Sequence, residues 1–355
     1  MLKPNMLKPG DIVATVSLSW GGAGEEGLKH RYYMGKKRLE KEFGLRVIEM
    51  PNSMLGEDVL YEHPELRAQD FMNAFKNPNI KAIISNTGGD DTIRLLPYID
   101  FDIIRNNPKI FLGNSDSTVN HFMMQKAGVV SFYGPAILSG FAENVAMHEY
   151  TKKSIIDNLF KINSQLSIKP SKYWTSERIE WTEENSNIKR NLTEDKHGYE
   201  VLQGKGKVKG KLLGGCIELF LMMNGTSIWP SLDEWKEKIL FLETSDEKPD
   251  PELIKHILRN MQAQGILNVI NGIIVGKPVE EKYYEEYKSV YRTVLGKEAK
   301  RLDLPIIYNA NFGHTSPMAI IPYGINCELN CDEKEIKLLE APIEREKYIE
   351  EDLER

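Results

Sequence analysis

Three residues of this sequence have both the type and the setting for acyl-transfer chemistry: Ser115, Glu243 and His314. Ser115 lies in Gly113-Asn114-Ser115-Asp116, directly after the apolar run Lys109 to Leu112. At a turn from strand to helix, a serine hydroxyl is pushed clear of the sheet. The free N–H groups of the following helix point at the same place, and the carboxyl ends of parallel strands are where open α/β sheets bind ligands. A local role competes. Serine is a favoured N-cap, so Ser115, Asp116 or Ser117 could simply cap the helix. The full G-x-S-x-G pattern is absent, and local sequence leaves both roles open.

The other candidates are read in the same way. Gly88-Gly89 closes a neighbouring apolar strand, where bare backbone can approach a substrate and offer N–H donors to an oxyanion; it also fits a plain strand-to-helix turn. Glu243 ends the run Ile239-Leu240-Phe241-Leu242. A carboxylate there can orient a histidine and stabilise its cation, or it can be a solvated strand end. Of seven histidines, only His314 sits in a Gly- and Pro-bounded loop after an apolar strand, Asn311-Phe-Gly-His-Thr-Ser-Pro317. An imidazole titrates near neutrality and so suits a general base.

Two glycine-rich stretches fail as phosphate sites. In Gly204-Lys-Gly-Lys-Val-Lys-Gly-Lys211, three residues separate Gly206 from Gly210 where a P-loop has four, and Leu212 stands where Ser or Thr is required. Alternating lysines read instead as the wet face of a strand. Gly21-Gly-Ala-Gly24 lacks the G-x-G-x-x-G spacing of a dinucleotide fold.

The elements that must position these residues follow a βαβα rhythm. Asp11 to Leu18, Arg46 to Met50, Lys81 to Ser85 and Lys109 to Leu112 read as strands. His30 to Phe43, Glu65 to Phe75 and Thr118 to Lys126 read as helices, and Thr92 to Leu96 as the start of another. This implies an α/β fold with a mostly parallel sheet. Residues 171–200 are polar, carry two tryptophans and show no period, which indicates a long functional loop. The second half mixes short strands (Ile239 to Glu243, Gly272 to Val275, Ile306 to Ile307, Ile320 to Ile321) with helices such as Pro251 to Gln264. The expected division is therefore a domain over 1–165, a linker and substrate loop over 166–205, and a less regular α+β domain over 206–355.

Composition narrows the classes of function. Apolar residues make up 41%, as in ordinary globular proteins, and no apolar run reaches the ~20 residues of a membrane span. With no export signal, the expected location is the cytoplasm. Three cysteines argue against a disulfide framework, and Cys327 and Cys331 lack the second ligand pair of a zinc site. The net charge is −6, of which the segment from Cys331 onward, with ten acids and five bases, carries −5. A nearly neutral body does not suit binding to a nucleic-acid polymer. The tail reads as a last strand, Glu335 to Leu339, and a solvated end.

Together these stretches resemble the LD-carboxypeptidase family of serine peptidases, and within it the microcin C immunity branch. In chain order the matching residues are Leu7-Lys-Pro-Gly-Asp with Ser17-Leu-Ser, Gly88-Gly89, Leu95-Leu-Pro-Tyr-Ile-Asp100, Gly113-Asn-Ser-Asp116 and Tyr133-Gly-Pro135. Gly214-Gly215 with Gly225-Thr226, Glu243-Thr-Ser245 and Phe312-Gly-His-Thr-Ser-Pro317 follow. The resemblance implies a Rossmann-like N-terminal domain with the nucleophile Ser115, and a β-rich C-terminal domain with the base His314 and its orienting carboxylate Glu243. It also implies an oxyanion hole from the N–H groups of Gly89 and Asp116, with Gly88 against the substrate, no metal or cofactor, and a homodimer. Two residues depart from the family: Asn114, where an aromatic is common, and Cys216, where asparagine usually follows Gly-Gly. The branch rests on the 171–200 insertion, since immunity-type members carry tryptophans that sandwich a nucleobase; Trp174 and Trp181 are the candidates, and Tyr173 competes. The implied substrate is a microcin-like aminoacyl nucleotide. The alternatives are release of D-alanine from murein tetrapeptide and, in another class, non-catalytic binding of a nucleotide or muropeptide.

Overall fold

The computed structural model describes residues 1–346; the solvated end expected beyond them lies outside the described residues. Five short apolar segments become parallel strands of one sheet: β1 (Ile12–Val16), β2 (Arg46–Glu49), β3 (Ile80–Ser85), β4 (Ile110–Gly113) and β5 (Phe132–Tyr133). β1, β3 and β4 are almost wholly buried, which is why they read as continuous apolar runs: helices cover a parallel sheet on both faces. The helices at Lys29–Phe43, Pro64–Lys76 and Ser117–Ala127 lie within a residue of the spans expected from periodicity. Thr92 to Tyr98 instead forms a tight 3₁₀ stretch containing Pro97, a residue that interrupts α-helical hydrogen bonding.

The strand order is β14-β5-β4-β3-β1-β2, where β14 (Ile321–Pro322) runs antiparallel to β5. The order reverses between β1 and β3, and such a switch point opens a crevice at the carboxyl ends of the strands. β14 is a finding against expectation. The strand foreseen at 320–321 returns to the edge of the first sheet, pairing Ile321 with Tyr133.

The second sheet has the order β6-β16-β15-β10-β11-β12-β13-β9, formed by β6 (Leu166–Ile168), β9 (Glu200–Gln203), β10 (Lys207–Cys216), β11 (Lys238–Glu243), β12 (Gly272–Gly276), β13 (Ile306–Ala310), β15 (Asn326–Asn330) and β16 (Glu335–Leu338). Four adjacent strands, β10 to β13, are parallel, so this half is more regular than its sequence suggests. Lys207, Lys209 and Lys211 alternate on the exposed face of β10, and the first two reach Glu328 on β15 at 3.6 and 3.5 Å. The lysine-glycine run is thus the wet face of a strand.

Segment 166–205 contributes β6 and β9 to the two edges of this sheet, plus a small ladder of β7 (Tyr173–Trp174) with β8 (Thr193–Glu194). Among the described residues, no helix is long and apolar enough to cross a membrane.

Candidate active site

β4 ends at Gly113 and the next helix starts at Ser117. In the turn between them Ser115 has φ +59°, the left-handed region that costs a non-glycine residue about 1–3 kcal/mol. Two kinds of bond hold it there. The Ser115 N–H donates to Tyr133 Oη at 2.9 Å, and the N–H groups of Ser117 and Thr118 donate to the carbonyls of Asn114 and Ser115. The capping role gives way to this geometry. The N-cap position falls to Asp116, whose side chain makes no capping bond; its Oδ2 accepts instead from the Thr92 N–H at 2.8 Å. Burial pushes the Asp116 carboxyl up from its ordinary value.

Gly88 brings backbone directly against the serine. A Cβ there would lie 2.7 Å from Ser115 Cβ and 2.8 Å from its Oγ, so a side chain would displace the hydroxyl. The N–H groups of Gly89 and Asp116 donate to no protein acceptor among the described residues, which leaves both open to a ligand.

Glu243 closes β11 with only 1% of its surface exposed, not solvated as strand ends often are. Its Oε2 lies 2.8 Å from His314 Nδ1, and His314 Nε2 lies 3.0 Å from Ser115 Oγ. A carboxylate can only accept, so Nδ1 carries the proton and the Nε2 lone pair faces the serine hydroxyl. Burial disfavours the His314 cation, but the charge and hydrogen bond of Glu243 outweigh it, and the pKa is raised above the usual histidine value. The other oxygen of Glu243 accepts from Tyr133 Oη at 2.6 Å. Burial, then the Glu243 charge, pushes the Tyr133 phenol well above its ordinary pKa, so it stays a donor. Tyr133 is the residue that sequence reasoning passed over, although it lies in a stretch that carried the resemblance. Its signal was a tyrosine closing the strand beside that of the serine.

Ser115 and His314 open into a cleft of about 830 Å³, lined also by Gly88, Gly89, Arg31 and Trp181. The structure brings Trp181 into the cleft, where the Arg31 guanidinium lies 4.5 Å from its ring centre. Trp174 is not among the lining residues: it is 6% exposed and covers the buried Lys277 ammonium at 4.6 Å. The reason is strand alternation, which turns Trp174 inward and leaves Tyr173 44% exposed. Arg190, from the same insertion, pairs with Glu143 on the cleft wall and donates to Ser316 Oγ at 2.7 Å. Burial alone would raise the Glu143 pKa, but His148 and Arg190 bring it down to about 2.

Comparison with known proteins agrees with this architecture. The family model described as LD-carboxypeptidase N-terminal domain matches residues 13–134, and that described as LD-carboxypeptidase C-terminal domain matches 209–329. The microcin C7 self-immunity protein MccF of Escherichia coli is 28% identical over 90% of this chain and 91% of its own. A Bacillus subtilis protein named probable murein peptide carboxypeptidase is 26% identical over 94% of this chain and 92% of its own. An MccF-like protein from Streptococcus pneumoniae in complex with AMP superposes with a TM-score of 0.84 at 36% identity, covering 93% of this chain and 98% of that one. The structure of MccF in complex with aspartyl sulfamoyl adenosine gives a TM-score of 0.83 at 25% identity, over 97% of this chain and 100% of that one.

Two outcomes follow from the geometry. In an NMR titration the His314 ring should protonate above the ordinary value of about 6.5. Glu243→Gln removes the charge but leaves the burial, so the pKa should then fall below that of the unaltered protein; an unchanged titration would contradict the coupling. Tyr133→Phe keeps the ring but strips a donor from Glu243 and an acceptor from the Ser115 N–H. It should cost about 1–3 kcal/mol of stability, measured by denaturant unfolding.

Proposed function

Since the chain belongs to the LD-carboxypeptidase family, we propose that it is a serine-type amide hydrolase and that its substrate is an aminoacyl nucleotide of the microcin C kind. The observation that carries the chemistry is the line from Glu243 through His314 to Ser115, with hydrogen-bond distances of 2.8 and 3.0 Å, facing a cleft that has free backbone donors beside the hydroxyl. Its components match what nucleophilic catalysis requires: a hydroxyl, a base within reach and a group that orients the base.

In this mechanism His314 Nε2 takes the proton from Ser115 as Oγ bonds to the amide carbonyl carbon. The carbonyl oxygen becomes an oxyanion and accepts from the N–H groups of Gly89 and Asp116. When the intermediate collapses, the C–N bond breaks and His314 gives its proton to the departing nitrogen. A water molecule then adds to the ester carbon and passes a proton to His314. The Oγ–C bond breaks, the acid leaves and Ser115 regains its proton. The Glu243 charge supports the imidazolium in both halves of the cycle.

Support for the nucleotide comes from Trp181 in the cleft, since an aromatic face stacks on any base. The likeness to an MccF-like protein bound to AMP and to MccF bound to an aminoacyl sulfamoyl nucleoside points the same way. The murein peptide relative favours a second reading, cleavage of the L,D-peptide bond to release D-alanine. A side-by-side assay separates them: an aminoacyl sulfamoyl adenosine should be hydrolysed, and cleavage of murein tetrapeptide alone would defeat the nucleotide assignment.

Ser115→Ala or His314→Ala should lower kcat by at least about three orders of magnitude, and normal turnover in either would remove the triad. Because the base must be neutral to accept the proton, kcat/KM should rise with pH through the elevated His314 pKa. Trp181→Ala should weaken adenylate binding by about 1–3 kcal/mol, seen as a higher KM with kcat nearly unchanged.

A further inference from the structure

The cleft is lined by seven carboxylates but only three guanidinium groups, and the three cations are already committed. Arg178 pairs with Asp246, Arg190 pairs with Glu143, and Arg31 donates to the carbonyls of Leu138 and Ala142 and to Asn144 Oδ1. Glu218 has no cationic partner among the described residues. It follows β10 on the cleft wall, beside Cys216.

The Glu218 carboxylate is held in place rather than left loose. Its Oε1 accepts from the Ser245 N–H at 2.8 Å, and the Cys216 thiol donates to Oε2 at 3.4 Å. It also lies within the field of the reacting groups. Burial first, then the Glu243 charge, raises its pKa, and its own charge helps to raise that of His314. A carboxylate fixed on a cleft wall without a counter-charge is an arrangement that a bound cation would relieve. Anchoring the Ser245 turn needs one acceptor oxygen and no charge, so a structural role alone leaves the acid unexplained.

We propose that Glu218 receives a positively charged nitrogen on the acyl side of the scissile amide, either the α-ammonium or the end of a basic side chain. The proposal rests on the hydrolase reading above: with a base stacked at Trp181, the wall after β10 is left for the acyl residue.

The test uses lysyl, norleucyl and N-acetylnorleucyl sulfamoyl adenosine, titrated calorimetrically into the Ser115→Ala protein with and without Glu218→Gln. Glutamine keeps the acceptor for Ser245 and removes only the charge. With Glu218 intact, the lysyl compound should bind at least about tenfold more tightly than the N-acetylnorleucyl one, as for a hydrogen bond to a charged group. Equal affinities overturn the proposal whatever the variant does. Glu218→Gln should abolish that margin and leave the N-acetylnorleucyl affinity within about twofold, which also shows that the variant is folded; a margin that survives the substitution overturns the proposal. Loss for both free-amine compounds assigns the α-ammonium, and loss for the lysyl compound alone assigns the side chain. Turnover by the unaltered protein is followed in parallel. If it hydrolyses none of the three, the nucleotide-hydrolase reading falls, while the binding margin still decides the Glu218 site.

Discussion

A carboxylate taken almost completely out of water must have both oxygens paired, because an unpaired buried charge is among the costliest features a fold can carry. Glu243 meets that demand with one partner from each sheet. Tyr133, on β5 of the first sheet, donates to Oε1, and His314, from the loop after β13 of the second, donates to Oε2. The packing leaves little room for another arrangement. A Cβ on Gly313, which has φ +99°, would come within 2.8 Å of the Glu243 carboxyl carbon. The relative placement of the two sheets and the placement of His314 are therefore coupled through Glu243.

The same tyrosine extends this constraint to the serine. Its oxygen accepts from the Ser115 N–H, so the group that satisfies the carboxylate also steadies the strained turn presenting the hydroxyl. Further bonds cross between the sheets nearby. Thr118 Oγ1, on the helix after the serine, accepts from the Cys216 N–H at 3.0 Å, and Tyr323 Oη donates to the Gly214 carbonyl at 2.7 Å. Strain in the turn is thereby balanced by tertiary contacts together with the turn's own hydrogen bonds. The Ser115 hydroxyl and the His314 ring approach each other from separately built frameworks.

The insertion over 171–200 belongs to the same system. Thr175 and Ser316 exchange backbone hydrogen bonds at 2.7 and 2.9 Å, and Arg190 spans from the insertion to both Glu143 and Ser316. The loop that brings Trp181 to the cleft is thus fastened two residues from His314. Its position and that of His314 are therefore mechanically linked.

Much of this was legible in the chain. The first sheet was readable because parallel strands buried on both faces appear as short apolar runs, and because turn residues mark their ends. Ser115, Glu243 and His314 could be singled out since each closes or follows such a run. The wet lysine face of β10 was also readable, since strand alternation is a local property. Other features depended on packing between distant parts of the chain. Ser115 and His314 are 199 residues apart, and His314 and Glu243 are 71 apart; no local pattern carries their distances. Whether Ser115 capped a helix or faced a histidine, whether Glu243 met water or Tyr133, and which tryptophan entered the cleft were decided by tertiary structure. So was the return of β14 to the first sheet. Local sequence sets which conformations and burial patterns a segment favours, whereas the partner of a buried polar group is set by what the rest of the fold brings against it.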